Sequence, residues 1–304
     1  MTGSRSVRRR RRRVTTLRRI ARQILPPFIT SALLRMMRAG RTPEWEYVPG
    51  GWCHRGSPSA ASASGWNVES VVRTQRAKWD RFVALIGGNG GTSPLAVHHE
   101  TPTLANDSPD AHNTFMSYGY VLARAAARDR TSDRLSILDW GSGLGHYFIV
   151  SRALLPDVTL DYHARDLPLL CEAGRAVLPE VTFHDTDADA LGARRYDLIL
   201  ASGSLHYHEA WRDILRGFAT ASRRFVYITR LPIVHHVSSF VVVQRPSGGY
   251  ETEYQGWFFN REEFLAGARE AGLRLVREFL VDERPHAHGA PEQCEFRGFL
   301  FEVG

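Results

Sequence analysis

Short apolar runs alternate with helical repeats of hydrophobic positions over the second half of the chain. Each run has the length of a strand, and most are followed by a segment whose apolar residues recur every three or four positions. This alternation is typical of right-handed crossovers and predicts an α/β fold with a mainly parallel sheet. The predicted strands are Ser136–Asp139, Thr159–Ala164, Val181–His184, Tyr196–Ala201 and Phe225–Thr229, and the predicted helices are Tyr147–Leu155, Leu167–Val177 and Ala210–Ala221.

The pattern changes after the fifth predicted strand. Residues 232–258 do not fit a simple crossover and are predicted to be an insertion. Arg261–Ala271 is a predicted helix closed by Gly272. Two further strands, Arg274–Val281 and Glu295–Val303, are separated by a loop rich in Pro and His and are predicted to pair antiparallel at an edge of the sheet. We therefore expect one domain over residues 131–304.

Two amphipathic helices are predicted ahead of that domain. The first spans Val68–Ile86 and ends at a Gly pair. The second begins at Ser108-Pro109-Asp110, a capping residue followed by Pro at the first helical position, and reaches about Arg128. The stretch 49–65 is rich in Gly, Ser, Ala and Pro and is predicted to be a linker or irregular loop. Residues 45–130 are thus expected to form a mainly helical region.

The first 44 residues are predicted to form a basic amphipathic tail. Residues 1–41 contain 13 Arg and no acidic residue, and the apolar positions between the Arg residues have helical spacing. An apolar stripe flanked by Arg suits a helix that lies on an anionic membrane surface. A solvated tail without such a role is the alternative.

The tail accounts for the basic character of the whole chain. The net charge is +7, so the residues after 41 together carry −6. A fold that binds nucleic acid should carry its positive charge on the fold itself, and we therefore expect no nucleic-acid partner. The three Cys residues match no metal or redox spacing, and no apolar run approaches the roughly 20 residues that span a bilayer. We expect a cytoplasmic protein, with contact of residues 1–41 with the inner membrane face as a further hypothesis.

The strongest chemical motif is the turn Asp139-Trp140-Gly141-Ser142-Gly143-Leu144-Gly145, which directly follows an apolar strand and opens a helix. Glycines there let the backbone turn tightly and approach a ligand closely. Asp166 follows the second predicted strand, where a carboxylate can accept hydrogen bonds from ribose hydroxyls. Asp185 follows the third strand and could face an adenine amino group. Successive strand ends therefore predict a nucleoside-containing cofactor.

A nicotinamide dinucleotide is the alternative cofactor. Its binding pattern, G-x-G-x-x-G/A, would place His146 where a small residue is needed for close packing of helix on strand. Asp139, the acidic residue two positions before the first Gly, also favours a nucleoside cofactor other than a nicotinamide dinucleotide.

The motifs resemble those of class I S-adenosylmethionine-dependent methyltransferases, and more narrowly a family of methyltransferases associated with bacterial polysaccharide gene clusters. The narrow resemblance rests on the glycine turn and on three further segments, Ala164–Pro168, Ala201–Tyr207 and Ile228–Pro232. It implies a Rossmann-like sheet of seven strands with an antiparallel last strand and a helical N-terminal cap. It also implies S-adenosylmethionine as cofactor, with contacts from Asp139, Gly141, Gly143 and Asp166. To these we add Ser142, Gly145 and Ser202.

Candidate acceptor-site residues follow the fourth and fifth strands. His206 is the first candidate for a general base because the ordinary pKa of histidine is near 6.5, and Tyr207 is expected to orient the acceptor. The alternative is that this segment only packs on the cofactor or caps the next helix. His235 and His236 after the fifth strand, and Tyr254 and Trp257 in the insertion, are the candidates for substrate binding.

The expected reaction is methyl transfer to an oxygen of a saccharide or small metabolite, although the sequence leaves nitrogen and carbon acceptors open. The His-rich loops carry no zinc-ligand spacing, so no metal is expected. A non-catalytic, membrane-associated protein on the same fold is the first alternative, and a nicotinamide-dependent oxidoreductase is the second. A hydrolase of the Gly-x-Ser-x-Gly type is excluded because that motif is missing.

Overall fold

The computed structural model of the protein describes residues 45–53, 65–87, 109–127, 134–192, 194–247 and 249–304. The predicted tail, its membrane contact and most of the predicted linker lie outside these residues. The strands in the described part are β1 (Trp45–Val48), β2 (Arg134–Trp140), β3 (Thr159–Arg165), β4 (Thr182–His184), β5 (Tyr196–Ser202), β6 (Ser222–Val234), β7 (Phe240–Gln244), β8 (Tyr254–Asn260), β9 (Leu273–Leu280), β10 (Ala287–His288) and β11 (Glu295–Val303). The α-helices there are α1 (Glu69–Ile86), α2 (Pro109–Ala126), α3 (His146–Leu154), α4 (Pro168–Val177), α5 (Asp187–Gly192), α6 (Trp211–Ala221) and α7 (Arg261–Glu270).

Seven of these strands form the central sheet, in the order β4-β3-β2-β5-β6-β11-β9. The strands β4, β3, β2, β5 and β6 are parallel to their neighbours, whereas β11 is antiparallel to both β6 and β9. The predicted α/β class is confirmed, including the mainly parallel sheet and its antiparallel last strand. The predicted pairing of the two C-terminal strands is confirmed as well.

Helices cover both faces of the central sheet, which explains why a central strand such as β5 is apolar on both of its faces. In β5, Leu198 and Leu200 face the cluster formed with α1 to α4, while Ile199 and Ala201 face the cluster formed with α6 and α7. Because side chains alternate across a strand, a strand buried on both faces needs apolar residues at every position. The burial fixes the register of β5 between β2 and β6.

The predicted insertion over 232–258 contains β7 and most of β8, which pair antiparallel. The end of β6 pairs with the end of β8, so these strands continue the central sheet instead of leaving it. On the far side, β7 pairs antiparallel with β1, and β1 pairs with the short β10. The insertion is therefore an ordered extension of the sheet. β1 was not predicted, because four residues are too few for a periodic signal.

The two predicted N-terminal helices are present as α1 and α2. The apolar face of α1 includes Val71, Trp79 and Phe82, all buried against α3 and α4. Helix α2 packs on α3 and on the strands β6 and β11. Both helices thus belong to the layer that covers the first face of the sheet. Within the described ranges, no helix is long and apolar enough to cross a membrane.

Candidate functional site

A cavity of about 380 Å³ opens at the carboxyl ends of β2, β3 and β5. This is where ligands bind in open α/β sheets, and the volume lies within the usual range for small-molecule pockets. One side of the cavity, which we call the turn side, is formed by the loops after these three strands together with Gln75 and Tyr147. The other side, which we call the aromatic side, is formed mainly by residues around β1, α1 and the β7–β8 connection, with Tyr207 joining it from farther along the loop after β5. Its principal members are Trp52, Trp66, Tyr207, Tyr250, Glu253 and Tyr254.

The glycine turn after β2 lies against the end of β3 on the turn side. The backbone N–H groups of Gly141 and Ser142 donate to the Arg165 carbonyl at 2.8 and 3.2 Å. Gly141 has a φ of 79°, and a Cβ at this position would lie 2.3 Å from the Cβ of Ser204. Both the left-handed backbone and the close approach therefore require glycine. The turn brings bare backbone to the cavity surface.

Asp166 ties this turn to the strand β3. One carboxylate oxygen, Oδ2, accepts from the Gly143 N–H at 2.6 Å, and Oδ1 accepts from the Leu167 N–H at 2.7 Å. Burial raises the pKa of Asp166 to about 6, and the two N–H donors oppose that rise. The side chain lines the cavity. Each oxygen has a second lone pair, so the carboxylate can still accept hydrogen bonds from a ligand.

Asp139 and Gly145 lie outside the cavity lining although they belong to the same motif. Asp139 is 1% exposed and accepts a hydrogen bond from the Tyr162 hydroxyl at 3.0 Å. Burial raises its pKa to about 7. A Cβ at Gly145 would lie 2.7 Å from the Cδ1 of Leu178, so this glycine permits close packing of the start of α3. Both residues support the turn from within the protein.

Of the other predicted cofactor residues, Ser142 and Ser202 line the cavity and Asp185 does not. The hydroxyl groups of Ser202 and Tyr147 are 2.8 Å apart. Asp185 is exposed to solvent after β4. The structure thus brings five of the predicted cofactor residues together at the cavity: Gly141, Ser142, Gly143, Asp166 and Ser202.

Aromatic rings dominate the opposite side of the cavity. The Trp66 ring stacks on Tyr254 with centroids 4.1 Å apart and meets Tyr207 edge to face at 5.1 Å. Tyr207 donates a hydrogen bond to Gln244 Oε1 at 2.9 Å. Tyr207 and Tyr254 were predicted for the acceptor site, whereas Trp52 and Trp66 were not. Trp52 lies within the segment 49–65 that was predicted only as a linker, and Trp66 directly follows it.

His206 does not line the cavity. It is 2% exposed, and its ring lies 3.9 Å from that of Tyr207 and 6.3 Å from those of Trp45 and Phe296. A general base must reach the acceptor proton directly or through one water, and this packing gives the ring no place at the cavity surface. His208, two residues on, does line the cavity, and burial lowers its pKa to about 4.

His235, His236 and Trp257 are also outside the cavity lining. The backbone N–H groups of both histidines donate to the Glu292 carboxylate, and His235 Nε2 lies 3.0 Å from Glu295 Oε1. Trp257 is three residues along β8 from Tyr254 and so points to the opposite face of that strand. Its ring stacks on Trp52 with centroids 5.8 Å apart.

Glu253 is a cavity residue that the sequence analysis missed. Its Oε1 accepts from Arg245 Nη1 at 3.0 Å, and Arg245 Nη2 also donates to Glu46 at 2.6 Å. Its position directly before β8 brings it next to the aromatic rings. Among the residues described, no group of three His, Cys, Asp or Glu side chains is arranged to hold a metal ion.

Comparison with known proteins gives only distant likenesses. No protein-family model matches the sequence, and no curated protein matches it either. Among solved structures, the chain is similar to an S-adenosylmethionine-dependent methyltransferase from Clostridium acetobutylicum ATCC 824, with 11% identity, a TM-score of 0.43, and coverage of 62% of this chain and 92% of that one. It is also similar to a putative sarcosine dimethylglycine methyltransferase from Galdieria sulphuraria, with 13% identity, a TM-score of 0.46, and coverage of 73% and 97%. A third similar structure is the CcbJ methyltransferase from Streptomyces caelestis, with 15% identity, a TM-score of 0.45, and coverage of 69% and 96%. At these identities and TM-scores the similarities do not indicate an activity for this chain.

Proposed function

We propose that the protein binds S-adenosylmethionine in this cavity and catalyses methyl transfer to an oxygen of a saccharide or small metabolite. The observation that carries the proposal is the meeting of the glycine turn and the Asp166 carboxylate at the ends of β2 and β3, on one cavity. A turn that exposes backbone and a carboxylate that retains lone pairs together fit a ribose-containing ligand.

The residues on the turn side fit the cofactor by chemistry as well as by place. The Asp166 carboxylate would accept hydrogen bonds from the ribose hydroxyls, and the side-chain-free backbone of Gly141 and Gly143 lines the cavity beside it. Ser202 would supply a hydroxyl from the end of β5. The bound cofactor supplies an electrophilic methyl group on a sulfonium. The protein's part is to hold the acceptor oxygen in line with that methyl group, so that a new carbon–oxygen bond would replace the carbon–sulfur bond. S-adenosylhomocysteine would be the leaving group, and the hydroxyl proton would be lost to solvent.

The aromatic side of the cavity is the proposed place of the acceptor. Tyr207 lines it and is held by Gln244, which fits the predicted role of Tyr207 in orienting the acceptor. We infer that His206 acts through Tyr207 as a positioning residue, because its ring lies 3.9 Å from the Tyr207 ring and away from the cavity surface. This replaces the hypothesis that His206 is a general base.

The environment of His146 disfavours the nicotinamide alternative. This residue is 2% exposed, and its ring lies 5.2 Å from Trp79 and 5.0 Å from Phe82. A buried imidazole therefore fills the position at which the dinucleotide pattern needs a small residue.

Calorimetric titration with S-adenosylhomocysteine, with NADH in parallel, tests the proposal. We expect binding of S-adenosylhomocysteine in the micromolar range, that is, about −8 kcal/mol. Binding of NADH alone would overturn the proposed cofactor, and binding of neither would favour the non-catalytic alternative.

Contact of residues 1–41 with a membrane belongs to the same proposal and rests on the 13 Arg of that segment. If anionic vesicles bind the full chain and a chain lacking these residues equally well, that contact is wrong.

A further inference from the structure

The Glu253 carboxylate is only half satisfied by the protein. Its Oε1 accepts a hydrogen bond from Arg245 Nη1, but its Oε2 is buried and has no hydrogen-bond partner among the described residues. The side chain is 15% exposed and belongs to the cavity lining. Buried carboxylate oxygens in proteins are as a rule hydrogen-bonded. A donor group on a bound molecule would complete this one.

A donor without a partner lies on the neighbouring segment. Trp66 Nε1 is buried and has no hydrogen-bond partner within the described ranges. The residue before it, Gly65, donates its backbone N–H to the Glu253 carbonyl at 3.1 Å, so the two segments are joined directly. Two cavity-lining residues on adjoining segments therefore carry one acceptor and one donor without a partner among the described residues. Hydroxyl groups can satisfy atoms of both kinds, because each donates one hydrogen bond and accepts two.

Charge around the aromatic side disfavours an anionic acceptor. Arg245 is shared between Glu253 and Glu46, which leaves one negative charge in excess in this cluster. Of the described residues that line the cavity, Arg165 is the one Arg or Lys, and its guanidinium lies 2.8 Å from Asp187. A carboxylate or phosphate next to Glu253 would meet like charge, and the described cavity lining offers no cationic side chain beyond the paired Arg165 to offset it.

The rings beside Glu253 offer flat apolar surface. Trp66 and Tyr254 stack on each other, and Trp52 lines the same side of the cavity. Such surfaces favour a ligand with a ring, because a ring covers them without losing internal freedom on binding.

From these observations we infer that the methyl acceptor is an uncharged, hydroxylated ring compound and that Glu253 binds the hydroxyl group through Oε2. This inference rests on the proposed function and narrows it to a class of acceptor. It makes Glu253 an acceptor-binding residue that excludes anionic analogues.

Two matched probes test the inference on the full chain saturated with S-adenosylhomocysteine. Phenyl β-glucoside is neutral, and phenyl β-glucuronide has the same rings but carries a carboxylate. Binding is followed by quenching of Trp fluorescence and by saturation-transfer difference NMR. We expect the glucoside to bind at least about tenfold more tightly than the glucuronide, and Glu253→Gln to weaken glucoside binding by about tenfold, the effect of one hydrogen bond to a charged group.

The control is Glu251→Gln, the same change two residues away at an exposed side chain that pairs with Arg73. It should leave both probes unaffected. The affinity for S-adenosylhomocysteine is measured for every variant. If the wild type does not bind S-adenosylhomocysteine, the proposed function is wrong. If Glu253→Gln binds S-adenosylhomocysteine as the wild type does, the variant is folded and its glycoside affinity can be interpreted.

Three results would overturn the inference while cofactor binding persists. They are tighter or equal binding of the glucuronide, unchanged glucoside binding by Glu253→Gln, and binding of neither glycoside.

Discussion

The two sides of the cavity are built in different ways. The turn side is made of loops that directly follow β2, β3 and β5, so its residues are placed by the strand ends of one sheet. The aromatic side joins segments far apart in sequence. Gln255 exchanges two hydrogen bonds with the backbone of Cys53, and Thr252 donates to the Gly65 carbonyl at 2.6 Å. Backbone conformation shapes the first side, and side-chain contacts between distant segments shape the second.

This difference separates two kinds of substitution. A change that alters backbone conformation on the turn side should remove cofactor binding. A change that cuts one of several contacts on the aromatic side should loosen that side and leave the cofactor in place. Three substitutions test this contrast, from the largest expected effect to the smallest.

Gly141→Ala should have the largest effect. Alanine at a φ of 79° is strained by about 1–3 kcal/mol, and its Cβ would lie 2.3 Å from that of Ser204. We expect the affinity for S-adenosylhomocysteine, measured by calorimetry, to fall by about a hundredfold or more. Gly192→Ala is the control, because a Cβ there meets nothing within 4 Å. Similar affinities for the two variants would show that the turn does not contact the cofactor.

Asp166→Asn should weaken cofactor binding by about tenfold at pH 8, because the amide replaces one carboxylate oxygen with a donor. The pKa of Asp166 is raised to about 6, so the carboxylate is ionised above that pH and protonated below it. The wild-type affinity should therefore fall as the pH drops through 6. The affinity of Asp166→Asn should change less over the same range.

The matched control for this titration is Asp185→Asn, which removes an exposed carboxylate outside the cavity lining. Its pH profile should follow that of the wild type. A profile for Asp166→Asn that still falls through pH 6 would assign the titration to another group.

The same contrast explains what the sequence could predict. The central sheet and the turn side follow from local patterns: apolar runs of strand length, glycines after β2 and a carboxylate after β3. The aromatic side does not, because Trp52, Trp66 and Glu253 meet only through tertiary contacts between segments that look unrelated in sequence. Tyr254 was predicted only from the concentration of aromatic residues in the insertion.

The two histidines after β6 were assigned to the substrate site because the end of that strand was predicted too early. The strand was predicted to end at Thr229 but continues to Val234, where it pairs with the end of β8. This extension carries His235 and His236 beyond the edge at which the cavity opens, to Glu292 and Glu295. The additional length of β6 depends on its pairing with β8, and the sequence of β6 alone does not reveal that pairing.

Thr252→Val should have the smallest effect and act on the aromatic side alone. Thr252 is 2% exposed, and valine would leave the Gly65 carbonyl without the 2.6 Å hydrogen bond from its hydroxyl. We expect the free energy of unfolding, from urea denaturation, to fall by about 1–2 kcal/mol, with the affinity for S-adenosylhomocysteine unchanged within about twofold. Thr220→Val, at an exposed position on α6, is the control and should cost less than about 0.5 kcal/mol. If Thr252→Val weakened cofactor binding as much as Asp166→Asn, the two sides of the cavity would be coupled, and the contrast between them would be wrong.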